Sequence, residues 1–274
     1  MRYCGIDVSA RPGAQQLCTL HERRGAEGTE LVATFYEPGD VDAVARTVLG
    51  FGGEAVVAVD APTGHRLDLL AEGAPLRDVL GLPPGRFERH RVCDALLFAR
   101  RMPLYPVPTT EGAQRAWEAW IANGFDLAAA LDGLGRFTPT APDGGLEGAV
   151  EHGALRFGRL CEAYPEAVFC ALLGHRPPSK RTPWGLQQRI AALRVRGVAD
   201  DDGGLWHRTL AELDACAAAF AAHALATGHG RWVGDPEEGV VVLPVGELLE
   251  AYHRLPPPQR VSLTPGGFPA PGPG

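Results

Sequence analysis

Two short apolar runs in this chain end on aspartate: Met1-Arg-Tyr-Cys-Gly-Ile-Asp7 and Glu54-Ala-Val-Val-Ala-Val-Asp60. Continuous apolar stretches of this length, followed by small or turn-forming residues, predict buried strands. A carboxylate is a poor strand residue and is costly to bury without a partner, so each Asp marks the point where its strand leaves the sheet. A turn initiator or helix cap accounts for one such residue. Two, at the ends of strands that can be neighbours, point to a shared metal site at one rim of a sheet.

Between these runs, residues 15–21 and 30–36 are short apolar or alternating segments. The polar, Gly-containing stretch 22–29 separates them, which is a hairpin signal, so strands one to three are expected to form an antiparallel meander. Pro38-Gly-Asp40 breaks the chain, and Val41–Leu49 has apolar residues at helical spacing behind Asp40 as cap. Residues 55–59 supply a fourth strand. From Pro62 to about Ala154 the pattern becomes irregular and helical, with helices expected over 91–101 and 110–122. A Pro-rich, non-helical piece lies at 102–108 and a loop at 137–153. This region is read as an insertion packed over one edge of the sheet, as a lid or a substrate-shaping wall. Beyond it, residues 155–164 suit a strand ending on Glu162, and 165–173, 184–196 and 209–226 predict helices. A turn is expected at 201–204, and a terminal hairpin over 231–244 turning at 235–239. The last helix, Ala- and Leu-rich, carries one acid on its apolar middle, Asp214. The expected organisation is one α/β domain over 1–254 with an insertion at about 64–154, then a Pro/Gly-rich disordered tail over 255–274.

Composition narrows the chemistry. At 45% hydrophobic and 22% charged, the chain has enough apolar residues for a core. No stretch reaches the roughly 18 consecutive apolar residues of a membrane span. The start, with Arg2 and Asp7, lacks the apolar core of a signal peptide, so no membrane partner and a cytoplasmic location are expected. Six cysteines without a CxxC pair suggest buried free thiols. Nine histidines form neither an HExxH nor a ligand cluster, which leaves carboxylates as the clustered candidates and a hard cation as their partner.

The net charge of −7 disfavours indiscriminate binding to nucleic acid. Its distribution qualifies that: residues 167–199 contain no acid but six positive charges, on Arg176, Lys180, Arg181, Arg189, Arg194 and Arg196. A second basic stretch carries Arg86, Arg89, Arg91, Arg100 and Arg101 against Glu88 and Asp94. Each reads equally as a phosphate-facing surface or a solvated helix face paired with acids elsewhere. Lys180 is the sole lysine of the chain.

Four acids stand out by location: Asp7, Asp60, Glu162 and Asp214. The alanines at 215 and 217–219 would let the last helix approach a sheet closely and bring Asp214 to the rim. Clustered carboxylates repel and raise one another's pKa unless cations intervene. Mg²⁺ or Mn²⁺ resolves that repulsion, and two such ions can activate water and stabilise the leaving oxygen in phosphodiester cleavage. A buried acid network, or separate caps, is the alternative on spacing alone.

Cys4-Gly-Ile-Asp7-Val-Ser, Val59-Asp60-Ala-Pro-Thr-Gly64, Arg91-Val-Cys-Asp94, Glu162-Ala-Tyr-Pro-Glu166, Pro177-Pro-Ser-Lys180, Leu213-Asp214-Ala-Cys-Ala-Ala and Trp232-Val-Gly-Asp-Pro-Glu-Glu-Gly-Val resemble, in this order, the motif series of the family called domain of unknown function 429. That family is regarded as a predicted RNase H-like nuclease related to Holliday-junction resolvases. The resemblance implies an RNase H-like mixed sheet: three antiparallel strands, then parallel strands, flanked by helices, with a large helical insertion here. It implies that Asp7, Asp60 and Asp214 bind Mg²⁺ or Mn²⁺, with Glu162 as a fourth ligand. The function expected is metal-dependent phosphodiester hydrolysis on DNA or RNA, with Asp7 bridging two ions. Lys180, Arg91 and Arg181 would hold substrate phosphate, although Arg91 and Asp94 pair equally well with each other. Ser9 would touch a metal-bound water or shape a turn. Two alternatives stand beside this. One is an actin- or sugar-kinase-like phosphoryl transferase, which usually needs a duplicated fold and Gly-rich phosphate loops that this chain lacks. The other is a non-catalytic binding module that kept the fold.

Overall fold

The fold was obtained as a computed structural model, which describes residues 1–25, 28–102, 107, 119–140 and 145–256. The two Asp-terminated runs are strands β1 (Arg2–Asp7) and β4 (Ala55–Asp60), each buried along its middle. They pair in parallel with Asp7 directly opposite Asp60. β1 also pairs antiparallel with β2 (Gln16–Gly25), and β2 with β3 (Gly28–Phe35), which completes the expected meander. The strands run further than their hydrophobic pattern suggests, because the stretch read as a turn stays in register to Gly25 opposite Gly28. Cross-strand charge holds this polar extension: Arg23 lies 3.0 Å from Glu30 and 2.5 Å from Asp201.

Helix α1 (Val41–Leu49) starts where Asp40 accepts a 2.7 Å hydrogen bond from the Ala43 amide. Past β4 come α2 (Pro75–Val79), α3 (Val92–Ala99) and α4 (Ala119–Ala130). The helix expected over 110–122 lies mostly outside the described residues, and its described part continues to Ala130. The Pro-rich piece at 102–108 is also largely outside them. The loop expected at 137–153 contains a short strand, β5 (Glu147–Ala149). Residues 155–164 are not one strand: glycines at positive φ, Gly153 and Gly158, bracket a 3₁₀ turn, and β6 comprises only Leu160–Glu162. There follow α5 (Pro165–Leu173), stopped by left-handed Gly174, α6 (Pro183–Val195) and β7 (Val198–Asp200). Helix α7 (Leu210–Thr227) opens with a Thr209–Glu212 capping box, and the hairpin β8 (Arg231–Asp235) and β9 (Gly239–Leu243) turns where expected. The proposed tail lies outside the described residues past Pro256.

Among the described residues nine strands form one mixed sheet in the order β5-β8-β9-β6-β4-β1-β2-β3-β7. The strands β9, β6, β4 and β1 run parallel, so their carboxyl ends share one rim. The two faces are covered differently. Along β1, Cys4 and Ile6 join a cluster with Val44 and Val48 of α1 and Leu127 of α4. Tyr3, on the other face, belongs to the larger cluster that includes α5 and α7. Every residue of α7 from Leu213 to Ala222 is buried. That burial, within the fold, accounts for an 18-residue helix apolar enough to resemble a membrane span. The segment between β4 and β6 does more than lie over one edge: α4 packs on α1, α3 packs on β8, and β5 extends the sheet. All six cysteines are free and buried.

Candidate site at the carboxyl rim of the sheet

The close seating of α7 on β1 places the third acid. A Cβ added at Gly5 would collide with the backbone of Ala215, Ala218 and Ala219, so the helix lies directly on the strand where no side chain separates them. Asp214, one residue before this contact, is carried to the rim where Asp7 and Asp60 end their strands. The three carboxyls are electrostatically one unit. Asp7 and Asp60 are hydrogen-bonded to each other; burial, and then the Asp214 charge, pushes Asp7 up from 3.8 to about 6, against the pull of Lys180. Burial and then the Asp7 and Asp214 charges push Asp60 well above the ordinary carboxylate range. Asp214 is also raised by burial, although Lys180 opposes the rise.

Lys180 supplies the positive charge facing this cluster. Its ammonium donates to Asp214 Oδ2, and although burial opposes its charge, the three aspartates together raise its pKa. The loop that carries it is held from α6. Arg189, buried, donates to the Pro178 carbonyl at 2.9 Å and to Glu166 at 2.6 Å. Thr182 caps the helix, and a Cβ at Gly185 would strike the Ser179 carbonyl, so the helix start presses against the loop.

Glu162, on β6 beside β4, belongs to a different arrangement. Its Oε1 accepts from the Thr63 amide at 2.8 Å, the Thr63 hydroxyl at 2.9 Å and Arg91 Nη1 at 2.8 Å; its Oε2 accepts from Arg91 Nη2 at 2.7 Å. Arg91 and Glu162 are 2% and 3% exposed, so their mutual charge is satisfied inside the fold. Asp94 accepts from the Arg91 backbone amide at 3.2 Å and also faces its guanidinium. Glu238 closes the far side, taking the Leu67 amide at 2.8 Å and the Val92 amide at 2.7 Å. This network ties the segments after Asp60 and before α3 to the sheet. Arg91 is thus engaged as a structural ion pair.

A cleft of about 430 Å³ opens over the rim, with Asp60, Asp214, Lys180, Glu162 and Arg91 among its lining residues. Three further residues expected at the site, Asp7, Ser9 and Arg181, are not in that lining, and Asp7 joins the cluster through its hydrogen bond to Asp60. Ser9 shapes a turn: its amide donates to Gln15 Oε1 at 2.7 Å, its hydroxyl accepts from the Arg11 amide, and its carbonyl accepts from Asn123. Arg181 is exposed beside the Lys180 loop. Thr63, Glu238 and the Arg189–Glu166 pair escaped the reading of the sequence. Thr63, Glu238 and Glu166 lay within the motifs quoted, and none carried a signal of its partner.

The donor set fits a hard divalent cation in type, since it is all oxygen and carries more negative charge than one lysine offsets. Among the described residues no three His, Cys, Asp or Glu side chains are gathered into a ready-made ligand set. The geometry is that of a carboxylate cluster whose charge Lys180 partly offsets. An α/β protein with an acid cluster at the parallel rim of a mixed sheet is the class that fold and site define. The chain belongs to the family described as protein of unknown function (DUF429), whose model matches residues 5–238. No curated protein and no solved structure matches it.

Proposed function

We propose that this protein is an RNase H-like, metal-dependent phosphodiesterase acting on DNA or RNA. The observation that carries the reading is the convergence of Asp7, Asp60 and Asp214 from two paired strands and a helix. The order β3-β2-β1-β4-β6 at the centre of the sheet supports the RNase H-like assignment. Asp7, Asp60 and Asp214 would hold Mg²⁺ or Mn²⁺, which when bound lowers the cost of water attack and of the leaving oxygen's charge. The chain's own residues do the rest. The hydrogen-bonded Asp7–Asp60 pair would supply oxygen ligands to that ion, and Lys180, beside Asp214, would hold a phosphate oxygen of the substrate. Glu162 and Arg91 hold the walls of the cleft through their buried ion pair, so this proposal uses neither the ligand role that the resemblance implied for Glu162 nor the phosphate role expected of Arg91.

The test is a panel of branched, hybrid, duplex and single-stranded substrates incubated with Mg²⁺ or Mn²⁺, with Asp7→Asn as control. Cleavage that needs the metal and disappears in the Asp7→Asn protein supports the reading; cleavage undiminished in that variant sinks it. The Lys180–Asp214 ion pair favours a second reading, a non-catalytic module whose lysine permanently takes the place of a cation. That reading predicts no cleavage, and no change in melting temperature on adding either metal.

A further inference from the structure

Four arginines line the cleft, and two of them are already spent. Arg91 is locked to Glu162, and Arg189 to Glu166 and the Pro178 carbonyl. Arg176 and Arg254 differ: among the described residues neither side chain has an ion pair or a hydrogen bond. The backbone holds these two together. Arg176 and Arg254 face each other in an isolated parallel bridge, with the Arg176 amide donating 3.0 Å to the His253 carbonyl. Facing residues of a parallel pair project to the same side, so two uncompensated guanidinium groups are set side by side at the cleft. In a protein of net charge −7, two unpaired cations on a surface already occupied by acids signal an anionic ligand.

Other parts of the lining are aromatic and apolar. Half-buried Trp120 and Tyr164 line the same cavity, with Pro62, Pro165 and Pro177 around them. Aromatic faces beside a positive track are how proteins hold single strands, because every base offers a face to stack on. The concave form agrees. Stacking on aromatic walls inside a cavity needs unstacked bases, which a single strand offers and a blunt duplex does not. A cavity of about 430 Å³ is of the size that takes a small ligand or one unit of a chain.

We propose that Arg176 and Arg254 form a phosphate clamp that, with Trp120 and Tyr164 as stacking walls, leads a single nucleic-acid strand to Asp60 and Asp214. The site therefore selects single-stranded ends, flaps or loops over blunt duplex. This rests on the nucleic-acid reading above but fails separately from it.

Binding is measured by fluorescence anisotropy on the full chain in EDTA, so that no cleavage intervenes. The probes are a labelled oligothymidylate, a labelled oligouridylate and a blunt duplex of equal length. The wild type is expected to bind one or both single strands at least tenfold more tightly than the duplex. The double variant Arg176→Ala/Arg254→Ala should lose about tenfold or more in affinity, and its log–log salt dependence should flatten by about 0.7 per arginine removed. Arg176→Lys/Arg254→Lys should keep the salt slope, which separates lost charge from a damaged fold. Trp120→Ala should weaken binding about tenfold while Trp120→Phe restores it.

Equal or tighter binding of duplex, no binding of either strand, or an unchanged double variant overturns the clamp. Metal-dependent cleavage with an unchanged KM in the double variant also overturns it while leaving the phosphodiesterase reading intact. Strand binding that depends on both arginines, without cleavage under any metal, supports the clamp and removes the phosphodiesterase reading.

Discussion

Asp7 is held in a place where its charge is opposed by burial and by a neighbouring carboxylate. Its folded-state pKa of about 6 lies above the ordinary 3.8, so the folded protein binds more protons than the unfolded chain between those values. Stability from this group is therefore greatest at low pH, falls as pH rises through that window, and is fully lost above about 6. At 1.36 kcal/mol per pH unit the cost reaches about 3 kcal/mol. Asp7→Asn removes it. Urea denaturation of the metal-free proteins should find the variant more stable than the wild type by up to about 3 kcal/mol at pH 7.5, with the difference shrinking toward zero near pH 4. A variant less stable at pH 7.5 would mean that the Asp7 carboxylate serves the fold rather than a ligand. Glu162 carries the opposite expectation. With Arg91→Met it is left buried without its cation, and the loss should be about 3–5 kcal/mol by the same measurement. A loss under about 1 kcal/mol would show that Glu162 does not depend on Arg91. From sequence alone the two kinds of acid look the same, since a metal ligand and a buried ion-pair partner are both carboxylates at strand ends. What separates them is the partner, and Arg91 lies 71 residues away from Glu162 in the chain.

At the scale of elements, the contact of α7 with β1 decides where Asp214 sits. Gly5→Ala puts a methyl group into the helix backbone and must push the two apart. Overpacking of this kind costs about 1–3 kcal/mol. The melting temperature should fall, and any metal response should weaken more than stability does, because the helix carries a ligand candidate. An unchanged melting temperature would refute the close seating. Much of this was readable beforehand: the run of alanines in α7, the Asp-ended strands β1 and β4, and the hairpin of β8 and β9 are local patterns. β5 and β7 were not, because each is only three residues long and is defined by a distant partner, β8 and β3 respectively. The strand expected over 155–164 failed for a local reason, the two glycines whose positive φ turns the chain before Leu160. The site divided in the same way: the acids at the ends of strands were visible, while the Arg189–Glu166 support of the Lys180 loop rests on pairing across 23 residues and between two helices.

The whole molecule gathers these pieces at one rim. Parallel strands end there together, the segment between β4 and β6 builds a wall through the Glu162–Arg91–Glu238 network, and the loop after α5 delivers Lys180. The net negative charge is then no obstacle to a phosphate-bearing ligand, because the positive charge that matters is local and concave. The central claim is that Asp7, Asp60 and Asp214 act together as a hard-cation site whose negative charge Lys180 only partly offsets when no cation is bound. Titration calorimetry with Mn²⁺ at pH 7.5 tests it most directly. Saturable binding to the wild type, accompanied by proton release and abolished in both Asp7→Asn and Asp214→Asn, is the predicted result. An absence of binding, or binding equal in the wild type and both variants, would contradict the account.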